Sequence, residues 1–123
     1  MEFDELSNKV IGCAIEVHRH LGPGLLESAY EQCLAIEVKS KQIPFELQYS
    51  IPVQYKGMAL DCGYRADIVV ADTLIAELKC VEKLLPIHEA QLPTYMKLAK
   101  LRTGLLINFN VPVLRDGLKR MVL

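Results

Sequence analysis

Asp67, Glu77 and Lys79 lie in a stretch whose apolar character gives them no evident structural duty: Tyr64–Cys80, reading Y-R-A-D-I-V-V-A-D-T-L-I-A-E-L-K-C. Ile68–Val70 and Thr73–Ala76 are β-branched or small and apolar, which suits two strands packed on a core. Ala71, Asp72 and Thr73 form the expected turn between them. With a three-residue loop Val70 pairs with Leu74, and counting back sets Asp67 opposite Glu77. Alternation of side chains then puts Asp67, Glu77 and Lys79 on one face. A two-residue loop would shift the register and throw Asp67 to the other face.

Two carboxylates in direct opposition repel, and a divalent cation between them removes that penalty. Oxygen ligands suit Mg²⁺ or Mn²⁺. The Lys79 ammonium beside them could orient a water or stabilise phosphate charge. The competing expectation is a solvated hairpin with a Glu–Lys pair.

The surrounding elements must position these groups. Asp4 to Leu21 has helical periodicity in Leu6, Val10, Cys13 or Ala14, and Val17, and it stops at L-G-P-G. His18 and His20 near its end complement the helix dipole when protonated. A second helix runs from Gly24 to Lys41. Glu27 in its first turn is expected either to compensate the dipole or to join Tyr30 and Glu31, three and four residues on, in one polar face. Ile43–Tyr55, Met58–Val70 and Thr73–Val81 read as three meandering strands. Pro52 marks an edge or bulge in the first, and Gly63 a bulge or close backbone approach in the second. Ile87–Leu101 reads as a helix with a polar stripe of His88, Gln91 and Tyr95, and with Pro93 kinking it or displacing its start. Thr103–Phe109 is a central buried strand. Leu114–Val122 looks like a terminal amphipathic helix carrying Arg115, Lys119 and Arg120. The order is ααβββαβα: an α/β (α+β) chain with a mixed four-stranded sheet flanked by helices.

The 123 residues, about half apolar and a quarter charged, fit one soluble domain spanning 1–123. No run approaches the roughly 18 apolar residues of a membrane span, so no membrane role is expected. The acidic start M-E-F-D-E-L is the opposite of a secretory signal, and the cytoplasm is the expected compartment. Cys13, Cys33, Cys62 and Cys80 have no metal-site spacing and read as reduced, buried small hydrophobes. The net charge of −1 hides a division: residues 1–78 hold 12 acids and 6 basic residues, whereas residues 79–123 hold 3 acids and 8 basic residues. Such a division suits a metal-dependent phosphodiesterase, or a chain whose halves neutralise each other.

The element order, the helix acid, D-x9-E-x-K and the polar crossover helix together resemble the PD-(D/E)XK nuclease superfamily, whose core is restriction-endonuclease-like. Gly24-Leu-Leu-Glu27-Ser-Ala-Tyr30 is a G-x-x-E-x-x-Y motif. With I-E-V-H-R-H-L-G-P-G-L-L-E-S-A-Y, G-Y-R-A-D, A-E-L-K, H-E-A-Q-L and L-L-I-N-F, it makes the chain resemble the small GxxExxY protein family from about residue 5 to 121.

The resemblance implies that Glu27, Asp67 and Glu77 hold the metal with the Leu78 carbonyl, and that Lys79 is the catalytic lysine. Gln91 and Tyr95 match a Q-x-x-x-Y pattern that supports the site or the DNA backbone. Tyr30 and His88 join them as supporting or substrate-binding residues. The superfamily's proline-aspartate is Ala66-Asp67 here, which leaves the acid in place. The expected function is hydrolysis of nucleic-acid phosphodiester bonds with Mg²⁺ or Mn²⁺, in DNA more than RNA, in DNA processing or repair, with a homodimer as one assembly. The alternatives are a non-catalytic nucleic-acid-binding or regulatory subunit that keeps the nuclease fold, and a structural module whose acids form surface pairs.

Overall fold

Asp4 starts the first helix by accepting a hydrogen bond from the Ser7 N–H at 2.8 Å, which satisfies one of the orphan donors of the helix start. The structure, a computed structural model, describes residues 4–123. Helix α1 (Glu5–Leu21) ends where Gly22 takes φ +67° and returns its N–H to the His18 carbonyl at 2.8 Å. Helix α2 spans Glu27–Ser40. It begins three residues later than Gly24, because Gly24 itself sits at φ +100° in the loop.

The strands are β1 (Phe45–Ser50), β2 (Val53–Tyr55), β3 (Met58–Leu60), β4 (Arg65–Val70) and β5 (Leu74–Lys79). Helix α3 (Pro86–Ala99), β6 (Thr103–Asn108), a 3₁₀ turn (Leu114–Gly117) and β7 (Leu118–Val122) complete the chain. The main sheet runs β1-β4-β5-β6-β7, and β2 with β3 forms a separate two-stranded ribbon. Only the β5–β6 pair is parallel, and α3 provides the crossover that a parallel pair needs.

Both faces of the central strands are buried. Val10, Val17, Leu34 and Val38 of α1 and α2 pack on Ile68, Val70, Leu74, Ala76, Leu78 and Ile107. Leu92, Tyr95 and Met96 of α3 pack on Val69, Ile75 and Leu106. A side chain added at Gly104 would run into Met96 and Leu92, so the missing Cβ is what lets α3 lie close on β6. The class is α/β with a restriction-endonuclease-like core.

Five details differ from the sequence expectation. The sheet has five strands, because Leu118–Val122 is not a helix but pairs with β6 from Thr103↔Val122 to Ile107↔Leu118. A buried strand needs partners on both edges, and residues 118–122 supply the second. Their charges serve opposite sides: Lys119 reaches Glu89 of α3 at 2.7 Å, and Arg120 reaches Asp4 beside α1 at 2.6 Å.

The expected first and second strands are each broken, at Ile51-Pro52 and at Asp61–Tyr64, and this releases the β2–β3 ribbon. Gly63 takes φ +79° with nothing crowding it, so it marks a turn rather than a close approach. Pro93 lies inside α3, which runs unbroken from Pro86 to Ala99, so it neither ends the helix nor moves its start. Cys62 is exposed, unlike the buried Cys13 and the half-buried Cys33 and Cys80.

Candidate functional site

The β4–β5 hairpin turns through Ala71 and Asp72, both at positive φ, with the Thr73 N–H returning to the Val70 carbonyl at 3.0 Å. Val70 pairs with Leu74 and the ladder continues to Ile68↔Ala76, the register expected of an odd loop. One step further the same count sets Asp67 against Glu77. There side chains take over from the backbone. The Asp67 N–H donates to Glu77 Oε1 at 3.3 Å, and the Leu78 N–H donates to Asp67 Oδ2 at 2.7 Å.

The alternation that was to give the acids a common face breaks at this step. Leu47 and Ile68 pack with the α1–α2 layer, whereas Tyr49, Ala66 and Val69 pack with the α3 layer. Gln48 sits at φ +51°, and no pairing spans Gln48 and Asp67 although their neighbours on both sides pair. Both strands change sides here with no extra residue on either, since Leu47↔Ile68 and Tyr49↔Ala66 keep one register. The acids are therefore neighbours through a break in alternation and not through one sheet face. Glu77 stays in step with Ile75 on the α3 side, and Asp67 reaches a cavity on the α2 side.

That cavity, of about 150 Å³, is lined by Glu27, Ser28, Glu31, Gln48, Asp67 and Leu78. Glu27 and Glu31 are one helical turn apart and both reach it. Gln48 Nε2 donates to Glu31 Oε1 at 2.6 Å. Burial raises the Glu31 pKa against this bond, and the carboxylates of Asp67 and Glu27 raise it further. Sequence reasoning set Glu31 beside Glu27 without giving it a role, and it missed Gln48. A polar residue facing inward on an otherwise alternating strand was the available signal for Gln48.

Glu77 is 5% exposed. Burial first, then the Asp67 carboxylate, push its carboxyl up to about 8, against the Asp67 N–H and the Lys79 ammonium. At neutral pH this carboxyl tends to keep its proton. Lys79 ends β5 level with Asn108 of β6. The Phe109 N–H donates to the Lys79 carbonyl at 2.9 Å. The buried Asn108 accepts from the Val81 N–H at 3.1 Å and donates to the Val81 carbonyl at 2.9 Å, which fixes the chain just beyond Lys79. Asn108 was missed as well, although it is the polar end of a wholly apolar run. Cys80 is no nucleophile: burial and the nearby Glu27 push its thiol up to about 11.

Two of the expected site residues have structural work. Tyr30 is fully buried and does not share the polar face of Glu27 and Glu31. Its hydroxyl donates to the Gly22 carbonyl at 2.5 Å and accepts from the Leu25 N–H at 3.2 Å, and its ring stacks on Phe109 at 4.4 Å. It pins the loop that delivers Glu27. His88 accepts the Leu85 N–H on Nδ1 at 3.0 Å and so caps α3, which sets it apart from Gln91 and Tyr95. Those two do meet, with Gln91 Nε2 donating to Tyr95 Oη at 2.9 Å. Burial raises the Tyr95 pKa against the Gln91 bond, and Glu77 and Asp67 add to it, which puts the phenol within reach of both acids' field.

Among the described residues no three His, Cys, Asp or Glu side chains stand in a preformed ligating arrangement. In donor chemistry they fit a hard divalent cation. Three carboxylates line one small cavity with Ser28, Gln48 and Leu78, and burial first, then the Asp67 and Glu27 charges, raise the Glu31 pKa. Asp67 accepts the Leu78 N–H on Oδ2, and its carboxylate is also hydrogen-bonded to the Glu77 carboxyl.

A mixed sheet between helical layers, with acids at the ends of two adjacent central strands and a lysine two residues on, is the plan of a restriction-endonuclease-like protein. The chain matches the model of the PD-(D/E)XK nuclease superfamily over residues 4–121, and it belongs to that superfamily. Its members are nucleases that generally depend on a divalent metal, and their substrates are nucleic acids. None of the curated proteins and none of the solved structures compared with the chain gives a match. No described helix is long and apolar enough to cross a membrane.

Proposed function

We propose that residues 1–123 form one nuclease-like domain of the GxxExxY branch, hydrolysing phosphodiester bonds with Mg²⁺ or Mn²⁺, in DNA more than RNA, as part of DNA processing or repair in the cytoplasm. The observation that carries this is the convergence of Glu27, Glu31 and Asp67 on one cavity, with Glu77 and Lys79 across the same strand end. The G-x-x-E-x-x-Y motif has a physical sense in this setting. Gly24 supplies the positive φ of the turn, Tyr30 locks the loop, and Glu27 is left facing the acids.

Glu27 and Asp67 would hold the cation in the cavity that Glu31 and Leu78 also line, and Glu77, touching Asp67 from the α3 side of the strand end, would complete the ligand set with the Leu78 carbonyl. A bound divalent cation supplies an activated water and neutralises phosphate charge. Lys79 holds that water in line or carries positive charge opposite the phosphate. Gln91 and Tyr95 act as one hydrogen-bonded unit that supports the site or contacts the substrate. Glu77 must release its proton for the site to load, so loading is pH-dependent. A second copy would let the protein address both strands of a duplex.

The test is incubation with nicked, linear and branched DNA in Mg²⁺ or Mn²⁺, comparing wild type with Lys79→Ala. Cleavage is expected only from wild type, and equal trace cleavage by both defeats the catalytic reading. A Mn²⁺ anomalous peak between Asp67 and Glu77 in soaked crystals gives an independent check.

One observation favours a second reading, a nucleic-acid-binding or regulatory subunit. Asp67 and Glu77 are engaged by backbone N–H groups and the three acids are not preassembled. Salt-dependent DNA binding with no cleavage under any metal would support it.

A further inference from the structure

The β2–β3 ribbon is anomalous for a soluble protein. Five of its six strand residues are exposed, and its apolar side chains Tyr55, Met58 and Leu60 are 59, 64 and 40% exposed. Lys56 and Gly57 turn it at positive φ, and the Lys56 ammonium lies 5.4 Å from the centre of the Tyr55 ring. Behind the ribbon the chain passes Tyr64 and Arg65 and enters β4 two residues before Asp67. Between the ribbon and α3 lies an apolar cavity of about 460 Å³, with Val53, Tyr64, Ile87, Gln91, Tyr95 and Leu98 in its wall.

Tyr64 and Tyr95 meet inside this cavity at 5.9 Å between ring centres and 56° between planes. Two rings at that angle form a corner. A flat π-system can lie on one face and meet the edge of the other, the arrangement that aromatic quadrupoles favour. Beside the corner, the Gln91 carbonyl oxygen accepts no hydrogen bond among the described residues, and the Tyr95 hydroxyl, which accepts from Gln91, keeps its own proton to donate. An amide oxygen and a phenol O–H are what the edge of a heterocyclic base can pair with. The cations are Lys56 on the ribbon and Arg65 behind it, whose guanidinium lies 4.0 Å from the Asp61 carboxylate. Glu77 lies on this α3 side of the sheet, and its charge is among those that raise the Tyr95 pKa after burial.

We infer that the ribbon and the outer face of α3 form a groove for single-stranded nucleic acid, with one unpaired base seated in the Tyr64–Tyr95 corner and the backbone carried past Lys56 and Arg65 towards Glu77. Aromatic platforms interleaved with cations bind single strands without sequence preference, because every base has a π-face. A paired base keeps its faces inside the stack and cannot enter the corner. The substrate class is therefore nucleic acid with an unpaired segment, such as a single strand, a flap or a frayed end. This inference rests on the nucleic-acid reading of the acid cluster, but it concerns binding and can be measured without catalysis.

The experiment is fluorescence anisotropy in EDTA with a labelled 15-mer oligothymidylate and a duplex of equal length, on wild type, Tyr64→Ala, Tyr64→Trp and Lys79→Ala. Tyr64 is 45% exposed, so its replacement leaves the fold intact, with the thermal melt as a check. Wild type is expected to prefer the single strand, and Tyr64→Ala to weaken that binding by about tenfold, the scale of one lost base stack. Tyr64→Trp restores it, and Lys79→Ala retains the single-strand preference even where cleavage is lost. Equal affinity for duplex and single strand, or Tyr64→Ala binding as wild type does, overturns the inference and leaves the nuclease proposal standing. Single-strand binding through Tyr64 with no cleavage under any metal does the reverse. If sedimentation velocity shows that Tyr64→Ala turns a dimer into a monomer, the face is an interface between copies and the inference is overturned.

Discussion

Asp67 and Glu77 complete each other's strand. The Asp67 N–H donates to the Glu77 carboxylate, and the Asp67 carboxylate accepts the N–H of Leu78, the residue after Glu77. Two side chains that would repel in water are held together because each satisfies a backbone donor that the parting strands would leave without a partner. The same groups thus serve the fold and the proposed chemistry, and the two duties can be separated by measurement.

The pH dependence of stability separates them first. The Glu77 carboxyl is raised from 4.5 to about 8. The folded state therefore binds a proton that the unfolded state has lost between those values. This contribution is full below about pH 4.5 and disappears as pH rises through about 8. The melting temperature of wild type should fall between pH 5 and 8.5, and Glu77→Gln should flatten that fall. At pH 8, Mn²⁺ at about a hundred times its Kd should restore about 2.7 kcal/mol to wild type and little to Glu77→Gln.

Substitutions at Asp67 should split by chemistry. Asp67→Asn keeps an acceptor for the Leu78 N–H and removes one of two opposed charges. Asp67→Ala leaves that N–H without its acceptor, at a cost of about 1–3 kcal/mol. Chemical denaturation should place Asn at or above wild type and Ala clearly below it. Both should lose the Mn²⁺-induced rise in melting temperature. A stabilising response to Mn²⁺ in Asp67→Asn equal to that of wild type would remove Asp67 from the ligand set.

Tyr30→Phe keeps the stack on Phe109 and deletes the hydroxyl that joins Gly22 to Leu25. The expected loss is about 1–2 kcal/mol for a buried hydrogen-bonded hydroxyl. Metal affinity should weaken in addition, since Glu27 is held by the freed loop. Calorimetric titration of Mn²⁺ into the folded variant measures the second effect apart from the first.

The start of α1 and β7 meet at Asp4, which accepts from Ser7 and from Arg120. The Ser7 N–H above all, and then the Arg120 guanidinium, hold its carboxyl down to about 2 from 3.8. A depressed acid contributes stability above its unfolded value and loses it as pH falls through the folded one. Wild type should therefore lose stability between about pH 4 and pH 2, and Asp4→Ala should show a shallower acid limb. At neutral pH Asp4→Ala should cost about 1 kcal/mol as a lost helix cap. Because Asp4 is largely exposed, the Arg120 share should shrink in high salt.

The hairpin register was legible in the sequence because loop parity alone decides which residues pair, and the pairing of Val70 with Leu74 follows from three turn residues. The helices were legible to within a few residues because their apolar stripes are local. Tyr30 was not. At three residues from Glu27 it is close enough on the helix wheel to pass for the same face, and only the packing of Phe109 and the Gly22 loop turns it inward. Leu118–Val122 misled for a similar reason. Its charges fit a helical surface equally well, and what decides for a strand is the open edge of β6, whose residues Thr103–Ile107 pair with Leu118–Val122.

By itself the sequence determined which residues could do chemistry and which strands carry them, since residue type, spacing and turn parity are local quantities. The tertiary structure alone decided how the acids meet. Gln48 and Asp67 change sides together, and this brings Asp67 to the cavity of Glu27 and Glu31 while Glu77 stays buried on the α3 side. Strict alternation describes a regular ladder. The site lies where the ladder ends, and there the position of each carboxylate is set by backbone donors on the neighbouring strand and by the helix packed above.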